Sequence, residues 1–244
     1  MKRQAVVNPN LLFVYRFQKE DGSFEEKEFI YENGITDYVN EIAAGENLTS
    51  VQNWSADRVG RDREDKSEYK VKMEFALTFS NKIKKIEYYH NSSFLEHGGS
   101  PERAVKQAFV SQIDAYLKQN NKYLKNEKKI TFDDVEDCLI LVSSSFSTQT
   151  SYENQTKKAI TNKFIYETMT EFLKHQLEIY FIENPDEALK IAEQVMVNKR
   201  SRENAEKTRL NLKKKLAGTI DLSNMVKKFV DCRTKDVSRR ELYI

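Results

Sequence analysis

The spacing of apolar residues switches between period two and period 3.6 along the chain, and it predicts alternating strands and helices. Leu11-Leu12-Phe13-Val14-Tyr15-Arg16-Phe17 and Phe24-Glu25-Glu26-Lys27-Glu28-Phe29-Ile30-Tyr31 are β-rich runs. Asp21-Gly22 between them supplies turn chemistry, because glycine tolerates positive φ, so a hairpin is predicted. Ile35, Tyr38, Val39 and Ile42 fall at i, i+3, i+4 and i+7, the spacing of a short amphipathic helix that ends near Gly45. A strand containing Trp54 is expected over 49–59 and a polar turn over 60–66. Another strand follows over 69–79, where polar and apolar residues alternate. Asn81-Lys82 would turn that strand back into Ile86-Glu87-Tyr88-Tyr89-His90 as a second hairpin.

Helices dominate the second half. Ser100-Pro101 reads as an N-cap followed by proline at the first helical position. Val105, Phe109, Ile113 and Leu117, with Ala108 and Tyr116, then form an apolar stripe to about Asn120. Thr131-Phe132-Asp133-Asp134 has the pattern of a capped helical turn. The run from Leu139 to Ser145 reads as a buried strand. A helix from Ile160 to about Glu183 would bury Phe164, Ile165, Met169, Phe172 and Leu173. Asn184-Pro185-Asp186 breaks it and starts a long helix over about 186–216, stopped by Gly218. Its first turns carry Ala188, Leu189, Ile191, Ala192, Val195 and Met196, expected to pack on the domain. Residues 241–244 read as the start of a further strand, and no internal repeat is visible.

Composition narrows the class. A chain of 244 residues can bury one good core, or one core and an appendage. The charged share of 32% exceeds the average of about 25%, and with clear apolar periods it indicates long solvated helices rather than disorder. Forty basic against 38 acidic residues leave a net charge of +2, so bulk charge does not announce nucleic acid. Cys138 and Cys232 are far apart and lack metal-ligand spacing, which points to reduced thiols in a cytoplasmic protein. The three histidines join no Cys/His/Asp cluster, so no metal site is expected. No run reaches the ~18 apolar residues of a membrane span, and no signal-peptide pattern is present.

Three stretches carry candidate chemistry. Ser151-Tyr152-Glu153-Asn154-Gln155-Thr156-Lys157-Lys158 is a polar loop between a buried strand and a helix. Such a loop can be a solvated connection, or it can present a cation and an amide at a domain surface. Gly98-Gly99 before a helix either makes a tight turn or leaves amides open to an anion. From Lys199 onward, Lys199, Arg200, Arg202, Lys207, Arg209, Lys213, Lys214 and Lys215 face only Glu203 and Glu206. That basic stretch is either a solvated helix face or a sequence-independent contact to a phosphate backbone. No nucleophile with a base and no catalytic pair appears.

Taken in order, Glu96-His97-Gly98-Gly99-Ser100, the Gln155-Thr156-Lys157 loop, and Lys199-Arg200-Ser201-Arg202-Glu203-Asn204-Ala205-Glu206 running to Lys228-Phe229-Val230-Asp231-Cys232-Arg233 resemble the B subunit of bacterial type IIA DNA topoisomerases, gyrase or topoisomerase IV. Arg240-Glu241-Leu242-Tyr243-Ile244 is similar to the strand before that family's metal-binding acidic motif, which is not in this chain. The resemblance implies an α+β transducer domain. Its fold would be a two-layer α/β sandwich with a left-handed βαβ unit, followed by a long C-terminal helix. Residues 1–10 would be the tail of a preceding ATPase-domain helix or a linker, 11–218 the transducer, and 219–244 the start of a Toprim domain.

The resemblance further implies that Lys157, with Gln155 beside it, reaches into a neighbouring ATPase domain and meets the γ-phosphate of ATP. Lysine is a compact point charge suited to a phosphate oxygen. Lys199, Arg200, Arg202, Lys207 and Arg209 would face double-stranded DNA, with Lys106 a lesser candidate. ATP and Mg2+ would be held in the full-length protein and not in this fragment, which alone would be inactive. The partners implied are the ATPase and Toprim domains, the A subunit in a heterotetramer, and duplex DNA, with no membrane. An autonomous nucleic-acid-binding module without enzymatic activity is the alternative reading.

Overall fold

The computed structural model describes residues 1–219 and 236–239. The chain divides into two compact units, residues 1–199 and 200–244. The first begins with helix α1 (Lys2–Val7), strands β1 (Phe13–Gln18) and β2 (Phe24–Phe29), and helix α2 (Ile35–Ala43). Strands β3 (Gln52–Gly60), β4 (Tyr69–Phe79), β5 (Lys85–His90) and β6 (Ser93–Phe94) follow, then helices α3 (Ser100–Gln119) and α4 (Phe132–Glu136) and strand β7 (Leu139–Ser147). Helix α5 (Lys163–Glu183) and helix α6 (Pro185–Thr219) close the series, and α6 crosses from the first unit into the second. Beyond it the second unit shows a 3-10 turn at Val237–Arg239. The readings at 229–232 and 241–244 lie outside the described residues. Among the described residues no helix is long and apolar enough to cross a membrane.

The first predicted hairpin forms: β1 and β2 pair antiparallel as a separate two-stranded sheet, with Phe17 opposite Glu25. The second does not. The main sheet has the order β3-β4-β7-β5-β6, so β7 lies between β4 and the strand expected to pair with it. β7 is antiparallel to β4 and parallel to β5, and α3 provides the crossover between β5 and β7. The reason is burial. Residues 139–143 of β7 are all buried, and a strand apolar on both faces belongs at the centre of a sheet covered on both sides. The hairpin that does form in this sheet is β3 with β4, with Trp54 opposite Phe75.

Strand alternation sorts the side chains into two cores. Tyr69, Val71, Met73, Phe75, Leu77 and Phe79 of β4, with Leu139 and Leu141 of β7, face α3, α5 and the first turns of α6. Ala76, Tyr89, Ile140 and Val142 point the other way and meet Ala5 and Val6 of α1 and Ile35, Tyr38 and Val39 of α2. The mixed α+β architecture and the long final helix stand as expected, and the face opposite the main helical layer is itself covered in part by α1 and α2. The predicted stripe on α3 is buried at Val105, Ala108, Phe109, Ile113 and Leu117.

Four local expectations change. The N-cap of α3 is Gly99, at φ 85°, and Ser100 is already helical. Its hydroxyl donates to the Asn162 carbonyl at 2.8 Å, so it bonds across the fold instead of capping its own helix. Helix α5 starts at Lys163 because Ile160 is held in β-bridges to Gly99 and Tyr152. Helix α6 runs on through Gly218 to Thr219, and Leu189 on it is 36% exposed.

The base of α6 is fastened by polar contacts. Glu187 accepts the Ser50 amide at 2.8 Å and the Tyr180 hydroxyl, joining the start of α6 to the end of α5 and the approach to β3. The Asn198 side chain donates to the Asp134 carbonyl of α4 at 3.0 Å. Asp134 closes the predicted capping box with Thr131. Next to it Lys199 is fully buried, its ammonium 3.0 Å from Glu127, whose side chain is 9% exposed. Breaking a buried pair from one side strands the remaining charge. Lys199→Ala should therefore lose about 3–5 kcal/mol in urea unfolding, whereas Lys207→Ala, at an exposed site, should stay within about 0.5 kcal/mol.

Candidate functional site

The polar loop leaves the C-terminal end of the central strand, so the position of β7 determines where it emerges. Its stem is a short β-like closure. The Thr161 amide donates to the Ser151 carbonyl at 2.8 Å, the Glu153 amide to the Ala159 carbonyl at 3.0 Å, and Tyr152 bridges Ile160. On the other side Ile160 lies against the start of α3, where the Ser100 amide donates to its carbonyl at 2.8 Å. A Cβ on Gly99 would sit 2.2 Å from that same carbonyl oxygen. Gly98-Gly99 thus forms the turn of the two readings, and the glycine is needed because two backbones touch there.

Asn162 and Asp62 lock the base of the loop. The Asn162 carboxamide oxygen accepts the Ser151 amide at 2.7 Å, and its nitrogen donates to Asp62 at 2.9 Å and to the Tyr69 hydroxyl at 3.1 Å. Asp62 also accepts the Tyr69 hydroxyl at 2.9 Å and the Phe164 amide at 2.8 Å, which caps the first turn of α5 from another segment. Burial and the Asp62 carboxylate push the Tyr69 phenol up, so it stays a donor. Nothing in the sequence singled out Asp62. It lies in the charged run Gly60–Lys66, which reads as a solvated turn, and its partners are 7, 100 and 102 residues away.

A second polar cluster braces the strand end before the loop. His90 is fully buried, with Nδ1 2.8 Å from Ser145 Oγ and Nε2 3.1 Å from Ser147 Oγ and 2.9 Å from Thr150 Oγ1. Burial lowers its pKa to about 4, so the ring is neutral near pH 7. Asn91 joins in, accepting the Ser147 amide at 2.9 Å.

Above this base the tip is open. Residues 153–157 are exposed and bond mainly to one another: Asn154 Oδ1 accepts the Thr156 amide at 3.1 Å, and the Asn154 carbonyl accepts the Lys157 amide at 3.2 Å. The two lysines differ sharply. Lys158 is tied down, its ammonium paired with Glu96 and its carbonyl accepting the His97 amide at 3.0 Å. Lys157 has no carboxylate partner among the described residues, and its ammonium lies 5.6 Å from the Tyr152 ring centroid. Its φ is 55°, in the left-handed region. Seven described non-glycine residues have positive φ, and four of them are asparagines, which tolerate it. Lysine does not tolerate it as readily, and such strain collects at functional sites.

Lys157 and Gln155 together offer an ammonium and a carboxamide at the loop tip. That donor set suits phosphate oxygens and provides no carboxylate for a metal ion. Among the described residues no group of three His, Cys, Asp or Glu side chains is arranged to hold a metal. The predicted basic face separates into parts. Lys199 is buried against Glu127 and is not on a phosphate-facing surface, because its charge is neutralised inside the fold. Arg200, Lys207 and Arg209 are exposed and Arg202 is half-buried. Lys106 pairs with Glu102 one turn earlier, at 2.7 Å.

The family model described as DNA gyrase B matches residues 34–211. A DNA gyrase B protein of Metamycoplasma arthritidis is 29% identical over 221 residues, covering 89% of this chain and 34% of that protein. One of Chlamydia pneumoniae is 29% identical over 248 residues, covering 100% of this chain and 30% of that protein. The chain therefore spans about a third of the length of these relatives. In structure it is similar to the 43K ATPase domain of Thermus thermophilus gyrase B, with a TM-score of 0.63 at 21% identity over 85% of this chain and 53% of that one. At that identity the likeness concerns the fold.

Two measurements probe the loop base. Asp62→Ala removes an acceptor shared by three donors, of which the Tyr69 hydroxyl and the Phe164 amide are left unpaired, and should cost about 2–4 kcal/mol, with hydrogen exchange at the Ser151 and Thr161 amides rising before that of β7. His90 has a folded pKa below its ordinary 6.5. Its contribution is therefore complete above pH 6.5 and is lost as pH falls through about 4. Acid unfolding should show a loss of about 3 kcal/mol across that window, absent in His90→Gln.

Proposed function

The chain belongs to the DNA gyrase B family, and on that premise we propose that it is the transducer segment of the ATPase-bearing B component of a type II DNA topoisomerase. In this reading residues 1–10 continue an ATPase-domain helix or link to it, 11–218 form the transducer, and 219–244 lead into Toprim. The segment couples ATP binding and hydrolysis in the neighbouring ATPase domain to passage of one DNA duplex through another. The complete enzyme would pair gyrase B with the A subunit, and the ATPase domain, not this segment, would hold Mg2+ and the body of the nucleotide.

The observation that carries the reading is the contrast between the loop's base and its tip. The base is fixed by Asp62, Asn162 and Ser100, while the tip projects Lys157 with no carboxylate partner among the described residues. Lys157 would place its ammonium against the γ-phosphate oxygens, and Gln155 would donate its amide beside it. ATP, when bound, supplies the phosphoryl group whose charge these donors balance. Phosphoryl transfer depends mostly on such charge stabilisation. Because the stem is tied to both α3 and α5, a contact made only while the γ-phosphate is present would act on two helices of the main layer at once. Arg200, Arg202, Lys207 and Arg209 are proposed to face the transported duplex, in a sequence-independent contact.

In the full-length protein, Lys157→Ala should lower ATP hydrolysis about 10²–10³-fold, the cost of removing one preorganised charge donor. The unfolding temperature should change little and DNA cleavage should be unchanged, because the exposed side chain makes no ion pair among the described residues and touches the fold only at the Tyr152 ring. Parent-level ATP hydrolysis in that variant would remove Lys157 from the role.

A further inference from the structure

Tyr152 is the one aromatic side chain of the polar loop, and it stands on the loop's fixed part. It bridges Ile160 in the stem and packs, half-buried, against the main core. The residues after it reverse direction. Asn154 closes this turn, its side-chain oxygen accepting the Thr156 amide at 3.1 Å and its carbonyl the Lys157 amide at 3.2 Å. Lys157 then enters the left-handed region at φ 55°. The turn returns its ammonium to 5.6 Å from the Tyr152 ring centroid, within the roughly 6 Å at which a ring face attracts a cation.

Among the described residues this ring is the only group that holds the Lys157 ammonium. Glu96, the carboxylate beside the stem, is taken by Lys158. A lysine side chain that is free in solvent loses rotamer entropy whenever a contact orders it, and that loss opposes the contact. A ring that already orders the side chain removes part of the cost before a ligand arrives. It does so without consuming the charge. An ammonium has three donors, so one side can rest on the ring while the others remain open to phosphate oxygens.

We propose that Tyr152 is a positioning residue for the γ-phosphate contact: its ring face holds the Lys157 ammonium in place at the loop tip before nucleotide binds. The proposal rests on the role given to Lys157 above. It makes the effect of the ring selective for the triphosphate, because in that role Lys157 meets only the γ-phosphate, which ADP lacks. The worth of one exposed ring–cation contact sets the size of the effect at about 2–5-fold in affinity.

The test uses the full-length protein with phenylalanine or pentafluorophenylalanine in place of Tyr152. The two rings are close in shape, but fluorine withdraws the negative charge from the ring face, so packing is kept and the cation contact is lost. Tyr152→Phe should bind a non-hydrolysable ATP analogue as the parent does. The pentafluoro variant should bind it about 2–5-fold more weakly, with ADP affinity unchanged in both. In nucleotide-free protein Lys157 should be acetylated faster in the pentafluoro variant than in Tyr152→Phe, because its ammonium is no longer held against the ring. Equal acetylation in the two variants would overturn the ring contact. An ADP affinity that falls in step with that of the analogue would overturn the positioning role, since the ring would then serve the nucleotide's body or the fold. So would equal analogue affinity in the two variants when Lys157→Ala weakens analogue binding. If Lys157→Ala itself binds the analogue as the parent does, the γ-phosphate role fails and the positioning role with it, and the acetylation contrast still decides whether the ring holds the lysine.

Discussion

The fold is governed by the demand of one strand to be covered on both sides. Residues 139–143 of β7 are buried without interruption, and alternate side chains point into different cores. That demand places β7 at the centre of the sheet and brings α3, α5 and the start of α6 to one face. It brings α1 and α2 to the other. It also requires the parallel crossover through α3, since a strand that follows a long helix cannot return to its parallel neighbour by a tight turn. Everything that positions the polar loop is downstream of this arrangement, because the loop is the chain's exit from β7.

The loop itself combines two opposite properties within about a dozen residues. Its stem is a polar network in which Asp62, Tyr69, Asn162 and Ser100 satisfy one another and the backbone around them. Networks of this kind rigidify when every member is satisfied. Its tip bonds mainly to itself and carries a lysine in a strained conformation. A firm base under an open tip lets a contact at the tip be felt in the helical layer, because the stem is hydrogen-bonded to the first residues of α3 and sits directly before α5.

Much of this was legible in the sequence. Strand β4 was readable end to end from its alternation, and α2 and the α3 stripe from their helical spacing. The capping box at Thr131 and the loop's polar character were readable too. What was not legible is long-range pairing. Period two identifies a strand and not its neighbours, so β5 was paired with β4 when β7 belonged between them. Lys199 sits in a run of basic residues and so reads as solvent-facing, while its partner Glu127 is 72 residues earlier. Asp62 looks like one more charge in a charged turn, and only the fold shows that it caps a helix 102 residues away. Tyr152 reads as the one apolar residue of a polar loop, and no sequence signal places the Lys157 ammonium beside its ring.

Lys157, and not its neighbour, is the residue proposed to meet the γ-phosphate. Lysine acetylation footprinting of the full-length protein, read by mass spectrometry with a non-hydrolysable ATP analogue and with ADP, distinguishes the two lysines. The analogue should protect Lys157 and ADP should not, while Lys158, held by Glu96, should react alike in both. Equal labelling of Lys157 in the two nucleotide states would contradict it.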